Sequence, residues 1–297
     1  MKKAKLALLT MVVGMLAGCG PQDGDTAATR TSGAAVGAQP AVEHQKDQGM
    51  TALKPPSPDS VLYVIYQRDG DGAFTYEVDG GVIVSYWYGH AFDLKGKHYF
   101  TGFATRTEGT EGPDAESGLM EPGHVAIAQA TFVQGGDAAK PVWSQLDTDG
   151  YVGEFGANDQ GDPVDTTRKA QSHATDDGRL VLAVPTRRFA DGVATASFAV
   201  FLFDPGNVDD LAFRRWGYLG SIGAGSDNSA ACDEGRVMPC AVSTGVLSFG
   251  APGAAGLPAL KVGLAGKAIS GPGTLRDLGP ADAVTYTFNA KAGRYQP

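Results

Sequence analysis

Short runs of alternating apolar and polar residues, punctuated by glycine-bearing turns, constrain this chain's fold more than any other feature. Phe74-Thr75-Tyr76-Glu77-Val78 and Val82 to Tyr88 flank Asp79-Gly80-Gly81. The run through His90 meets Tyr99-Phe100 around Leu94-Lys95-Gly96-Lys97, and Leu180 to Val184 and Ala194 to Phe203 flank Phe189-Ala190-Asp191-Gly192. Period-2 alternation marks strands with one buried face, and glycine supplies the positive φ of tight hairpin turns. Further strands are expected at Val61-Leu62-Tyr63-Val64-Ile65-Tyr66, which runs into the turn Arg68–Gly72, and at Val125–Phe132, Leu219–Ile222, Val242–Phe249, Leu260–Leu264, Val284–Phe288 and Arg294–Gln296. No long segment of period 3.6 competes. The 42 glycines fit many short strands and turns better than helices. The expected fold is mainly β, with antiparallel sheets in a propeller-like, sandwich or barrel arrangement. Trp143, Trp216 and several Asp-Gly turns recur at loose intervals, without an exact repeat. A stretch near 137–178, rich in Asp, Gly and Thr, reads as a subdivision or a long loop.

The first residues carry a different signal. Lys2, Lys3 and Lys5 precede an apolar run from Leu6 to Leu16, the charged and hydrophobic regions of an export signal. That run is too short to cross a bilayer, which takes about 20 apolar residues. It ends in Leu16-Ala17-Gly18-Cys19, which resembles the lipobox of bacterial lipoproteins. The resemblance implies a signal peptide over 1–18 and a diacylglycerol on the Cys19 thiol. Acyl chains contribute about 0.8 kcal/mol per buried methylene, enough for stable anchoring. Gly20, where retained enterobacterial lipoproteins have Asp, points by the same resemblance to the outer membrane, facing the periplasm. Residues 19–59 read as a lipidated flexible tether, Gly-, Ala- and Thr-rich and ending in Lys54-Pro55-Pro56-Ser57-Pro58, with 60–297 as the globular β-rich domain. His44 lies in the tether.

Cys232 and Cys240 bracket Asp233-Glu234-Gly235-Arg236-Val237-Met238-Pro239 in a chain read as exported. An oxidising compartment favours a disulfide, worth about 2–3 kcal/mol for so short a loop. A two-cysteine metal site is the alternative, and no neighbouring histidine completes it.

Catalytic signatures are missing: the sequence has no Gly-x-Ser-x-Gly elbow, no His-Glu-x-x-His and no phosphate-cradling glycine loop. His90 and His98 flank the Asp93–Gly96 turn and share strand parity, which would place them on one face as a metal pair, or as an acid/base pair with Asp93. Ordinary strand histidines are the plainer reading, and His124 and His173 read as loop histidines. Asp147-Thr148-Asp149-Gly150-Tyr151-Val152-Gly153-Glu154 starts like a calcium loop, with Asp147, Asp149 and Glu154 as oxygen donors. It departs from the twelve-residue pattern at Tyr151 and Asn158, and Asp69-Gly70-Asp71-Gly72 is shorter still. No cofactor is required by the sequence, and Ca²⁺ is the ion these turns suggest. Alternation would put Tyr86 and Tyr88 on one face and Trp87 on the other, with Phe92, Tyr99, Phe100 and Phe103 joining a core or a binding surface. Arg187-Arg188 and Arg214-Arg215 are too few for an anion-binding patch.

The formal charge of −9 argues against a nucleic-acid partner. Anchor, tether and acidic β domain together suggest a membrane-anchored periplasmic binding protein without catalytic activity. The plan resembles that of periplasmic immunity lipoproteins, which implies a protein partner and an inhibitor or immunity role against a cell-wall hydrolase. Two alternatives stand beside it. One is an envelope hydrolase working through carboxylates or His90/His98, and the other is a structural lipoprotein of an envelope assembly.

Overall fold

The computed structural model describes residues 53–107, 123–137, 140–207 and 215–297. The lipobox and Cys19 lie outside these residues. Among these residues one α-helix, α1 (Pro58–Tyr66), precedes fourteen strands in three antiparallel sheets. The first sheet is a meander of β1 (Thr75–Val78), β2 (Val82–Leu94), β3 (Lys97–Arg106), β4 (Val125–Asp137) and β5 (Lys140–Phe155). The second is β6 (Gln171–Ala174), β7 (Leu180–Ala190), β8 (Val193–Phe203) and β9 (Trp216–Asp227). The third orders β10 (Ser243–Pro252), β11 (Pro258–Gly271), β13 (Val284–Asn289) and β14 (Arg294–Gln296), with β12 (Thr274–Leu278) paired to β11. The expected mainly β class is what the chain adopts. Short-range signals place the hairpins correctly: Lys95-Gly96 and Asp191-Gly192 each carry two successive positive φ values, the two-residue turn that matches strand twist.

The sheets stack face to face with the second in the middle. Leu180, Leu182, Val184, Ala199, Phe201, Phe203 and Trp216 meet Phe92, Tyr99, Phe103, Ile127 and Phe155 of the first sheet. The alternate residues Val181, Ala183, Phe198, Val200 and Ile222 meet Leu247, Leu260, Val262 and Tyr295 of the third. Both faces of β7 and β8 are therefore buried, which explains why Leu180–Val184 and Phe198–Phe203 are nearly unbroken apolar runs, while β10 and β13 of the third sheet alternate. The fully buried Trp216 donates from Nε1 to the hydroxyls of Thr131 at 3.0 Å and Thr101 at 3.2 Å. Thr131 in turn donates to Gln129 Oε1 at 2.7 Å. A polar chain thus crosses an aromatic interface with its indole donor satisfied.

Residues 61–66 form the last turns of α1 and not the expected strand. Pro58 sits at the start, where its missing N–H costs nothing, and Asp59 lies in the first turn. Val61, Val64 and Ile65 lie at helical spacing against Phe100, Ala130 and Phe132 on the outer face of the first sheet. Tertiary docking overrides the β preference of the branched residues. Gly102 permits the contact, since a Cβ there would lie 2.5 Å from Val61 Cγ2. Residues 140–155, expected within a polar break, form the sixteen-residue β5.

Candidate functional site

The end of the molecule carrying the β7–β8 turn gathers the most distinctive surface. Beyond Phe198 a depression opens on the face of the second sheet that packs on the third, with Ala194, Ala196 and Ala224 at its floor. One wall is the strap 163–168, bound to the edge of β7 by Asp165 N–H to Pro185 O (2.8 Å) and Arg187 N–H to Pro163 O (2.9 Å). The other wall is Asp227 with Val242–Gly245, where a bridge from Asp227 to Val242 brings in β10. The open trough so formed holds about 430 Å³ beside Phe189 and continues into a further 200 Å³ under Arg168.

Two ion pairs organise its walls. Arg168 lies 4.8 Å over the Phe198 ring and donates to Asp165 Oδ2 at 2.7 Å and to the carbonyls of Thr186 and Ser197 at 2.9 and 3.0 Å. Burial pushes the Asp165 carboxyl up, but donors from Thr167 and Arg168 outweigh it and hold the group below the usual carboxylate range. Arg187 faces Asp227 at 3.6 Å, and Ser229 holds the Asp227 carboxyl low by hydrogen bonding. Both carboxylates stay ionised at neutral pH, whereas glycosidase-type hydrolysis needs one of a pair raised enough to donate a proton.

Exposed apolar side chains stand on the rim beside these charges. Phe189, at the exposed end of β7, leaves 66 % of its surface in solvent. The turn at Gly192 abuts Ala231 at the base of the cysteine loop. Cys232 and Cys240 form the expected disulfide, with sulfurs 1.97 Å and Cα atoms 5.2 Å apart. Asn228 closes the loop base, donating from Nδ2 to Pro239 O (3.0 Å) and accepting from Ala241 N–H (2.7 Å). Val237, 68 % exposed, and Met238 project from the loop. The sequence had singled out the disulfide, but nothing local marked Phe189 as exposed: only the layer order shows that its face has no cover.

The other candidate residues are placed elsewhere. His90 and His98 fall on opposite faces of the first sheet, correcting the expected shared face. Opposed residues across a two-residue turn differ by an odd number, as Leu94 and Lys97 do, and His90 and His98 differ by an even one. His90 is stacked between Tyr88 (6.2 Å) and Phe92 (5.8 Å), and burial lowers its pKa from 6.5 to about 4. His98 pairs through Nδ1 with Asp93 at 2.7 Å on the exposed side, with Trp143 5.4 Å away. A bulge at Trp87 likewise breaks the expected alternation: Tyr86 packs towards α1, while Trp87 and Tyr88 both pack between the first two sheets.

Asp147, Asp149 and Glu154 lie along β5 and not in a loop. Asp147 accepts from Gln129 Nε2 at 2.9 Å, at the end of the Trp216 chain, while Asp149 accepts from Tyr151 N–H at 3.0 Å and Glu154 stands 3.9 Å from His124. Asp69 accepts from Asp71 N–H at 2.9 Å in a local turn. Among the described residues no group of three or more His, Cys, Asp or Glu side chains is gathered to hold a metal ion. No described helix is long and apolar enough to cross a membrane. No protein-family model matches the chain, and neither the curated proteins nor the solved structures contain a significant match.

Proposed function

We propose that this protein is a membrane-anchored periplasmic binding protein without catalytic activity, held by lipid on Cys19. Its partner is a protein that docks on the end formed by Phe189, the trough and the Cys232–Cys240 loop. The observation that carries the reading is the exposure of Phe189 on the rim of the trough, with exposed Val237 and Met238 on the disulfide-closed loop whose base, at Ala231, meets the β7–β8 turn. Large apolar side chains held rigid at a surface depression are the usual anchors of protein recognition, because little entropy is lost on docking. The acidic balance of the chain suits a basic partner, and a cell-wall hydrolase is the concrete version: the protein would act as its inhibitor or immunity factor.

The test is inhibition of peptidoglycan hydrolysis by lysozyme-type and amidase-type enzymes, with Phe189→Asp and Val237→Asp alongside. The expected result is inhibition by the unaltered protein that weakens at least tenfold in either variant. Lack of complex formation with any such enzyme, or inhibition indifferent to both substitutions, would overturn it. Polymer cleavage by the protein itself would instead favour an envelope hydrolase.

A further inference from the structure

Among the described residues the first sheet has an unpaired stretch of edge beside a second groove, which shares the strap residues Val164, Thr166 and Arg168 with the trough. β1 pairs only with Val82–Ser85, and Phe74 O then accepts from Tyr86 N–H at 2.8 Å. From Trp87 to Leu94, β2 pairs with β3 on one side and with no backbone segment on the other among the described residues. Because Leu94 and Lys97 flank a two-residue turn, they form a hydrogen-bonded pair, and so do His90 with Thr101 and Phe92 with Tyr99. The N–H and C=O groups of Gly89, Ala91 and Asp93 therefore point away from β3, out of the sheet. Edges of this kind are normally blunted by Lys or Pro. Between Trp87 and Leu94 neither occurs.

The groove runs along this edge and holds about 520 Å³. Its near wall is Tyr86 to His90, and its far wall comes from 164–170 and Pro185. Lys169 stands on that far wall, exposed and without an ion pair among the described residues, in a chain whose formal charge is −9. Arg168, beside it, already holds Asp165.

We infer that this groove is a strand-acceptor site, taking an extended peptide segment with a carboxylate side chain. The peptide backbone pairs with Gly89 and Ala91, and its acidic side chain meets Lys169. Main-chain pairing supplies affinity and the side-chain contact supplies selection, the division of labour in strand addition. A second copy of this chain is a poorer occupant, since two edges of one acidic protein would meet with like charge.

The experiment is hydrogen–deuterium exchange on the full mature chain, free and with two probe hexapeptides, acetyl-TVEVTV-amide and acetyl-TVKVTV-amide. In the free protein the amides of Gly89, Ala91 and Asp93 should exchange as fast as exposed amides. The glutamate peptide should slow them at least tenfold, and the lysine peptide should bind at least tenfold more weakly. Lys169→Glu, at an exposed position where folding is untouched, should reverse that preference. The inference is overturned if the three amides are already slow in the free monomer, which would mean that the chain covers its own edge. It also fails if their protection grows with protein concentration alone, the sign of self-pairing. Equal binding of both peptides, or protection elsewhere than β2, would overturn it as well.

Discussion

Acid should destabilise this protein through His90, and the size of the effect follows from its surroundings. The ring is sandwiched between Tyr88 and Phe92, and its Nε2 is buried without a hydrogen-bond partner among the described residues. Burial opposes the charged form, lowering the pKa from 6.5 to about 4. Asp93, the nearest carboxylate in sequence, lies on the opposite face with His98 and gives the ring no compensating charge. Above pH 6.5 the ring is neutral in both folded and unfolded chains, so it contributes nothing to pH dependence. As pH falls below 6.5 the unfolded chain binds the proton first and stability is lost, until the folded ring also protonates near pH 4. At about 1.4 kcal/mol per pKa unit the full loss is roughly 3 kcal/mol, of which about 2.5 kcal/mol is felt at pH 4.5. His90→Phe keeps an aromatic ring in the stack and removes the titration. Urea unfolding of both proteins at pH 7.5 and 4.5 measures the difference. The unaltered protein should lose about 2.5 kcal/mol more than the variant over this interval, since every other side chain is common to both. Equal losses, within about 0.5 kcal/mol, would refute the assignment of acid sensitivity to His90.

Three further outcomes are expected. Reducing the Cys232–Cys240 bridge, or replacing both cysteines by serine, should cost about 2–3 kcal/mol in denaturant unfolding and loosen the Val237–Met238 tip, read as faster amide exchange there. Gly102→Ala should destabilise by about 1–3 kcal/mol, because the new methyl group displaces Val61 and lifts α1, and helical circular dichroism should fall with it. Trp216→Phe leaves the hydroxyls of Thr101 and Thr131 without their indole donor and should cost about 2–4 kcal/mol, whereas Trp143→Phe, near the surface, should cost less than half as much in the same unfolding assay.

How much of this was legible in the sequence depends on how local each signal is. Hairpins whose turns demand positive φ, at Lys95-Gly96 and Asp191-Gly192, were readable because the constraint lies within four residues. The disulfide followed from two cysteines and a compartment. Val61–Tyr66 misled because branched residues favour strands in isolation, while the helix is decided by a docking surface some forty to seventy residues further along. Asp147–Glu154 looked like a metal loop because Asp-Gly pairs serve both turns and bulged strands, and only the partner strand, with Gln129 waiting for Asp147, separates the two. The His90/His98 error came from counting parity through a turn that inverts it. Phe189 was invisible as a surface residue, since its exposure depends on where the third sheet stops.

The three-sheet stack also has a consequence in time. Each sheet is built from one contiguous stretch of chain, first 75–155, then 171–227, then 243–296. Such sequential topology keeps most contacts between neighbouring strands, which favours quick formation of each layer. A chain emerging from one end presents the first sheet while its apolar inner face still awaits the second. The arrival of the β7–β8 hairpin closes that face and at once offers a new apolar face for the third sheet. The middle hairpin is therefore the step on which both completions depend, and a substitution that slows its pairing leaves two apolar surfaces unprotected instead of one.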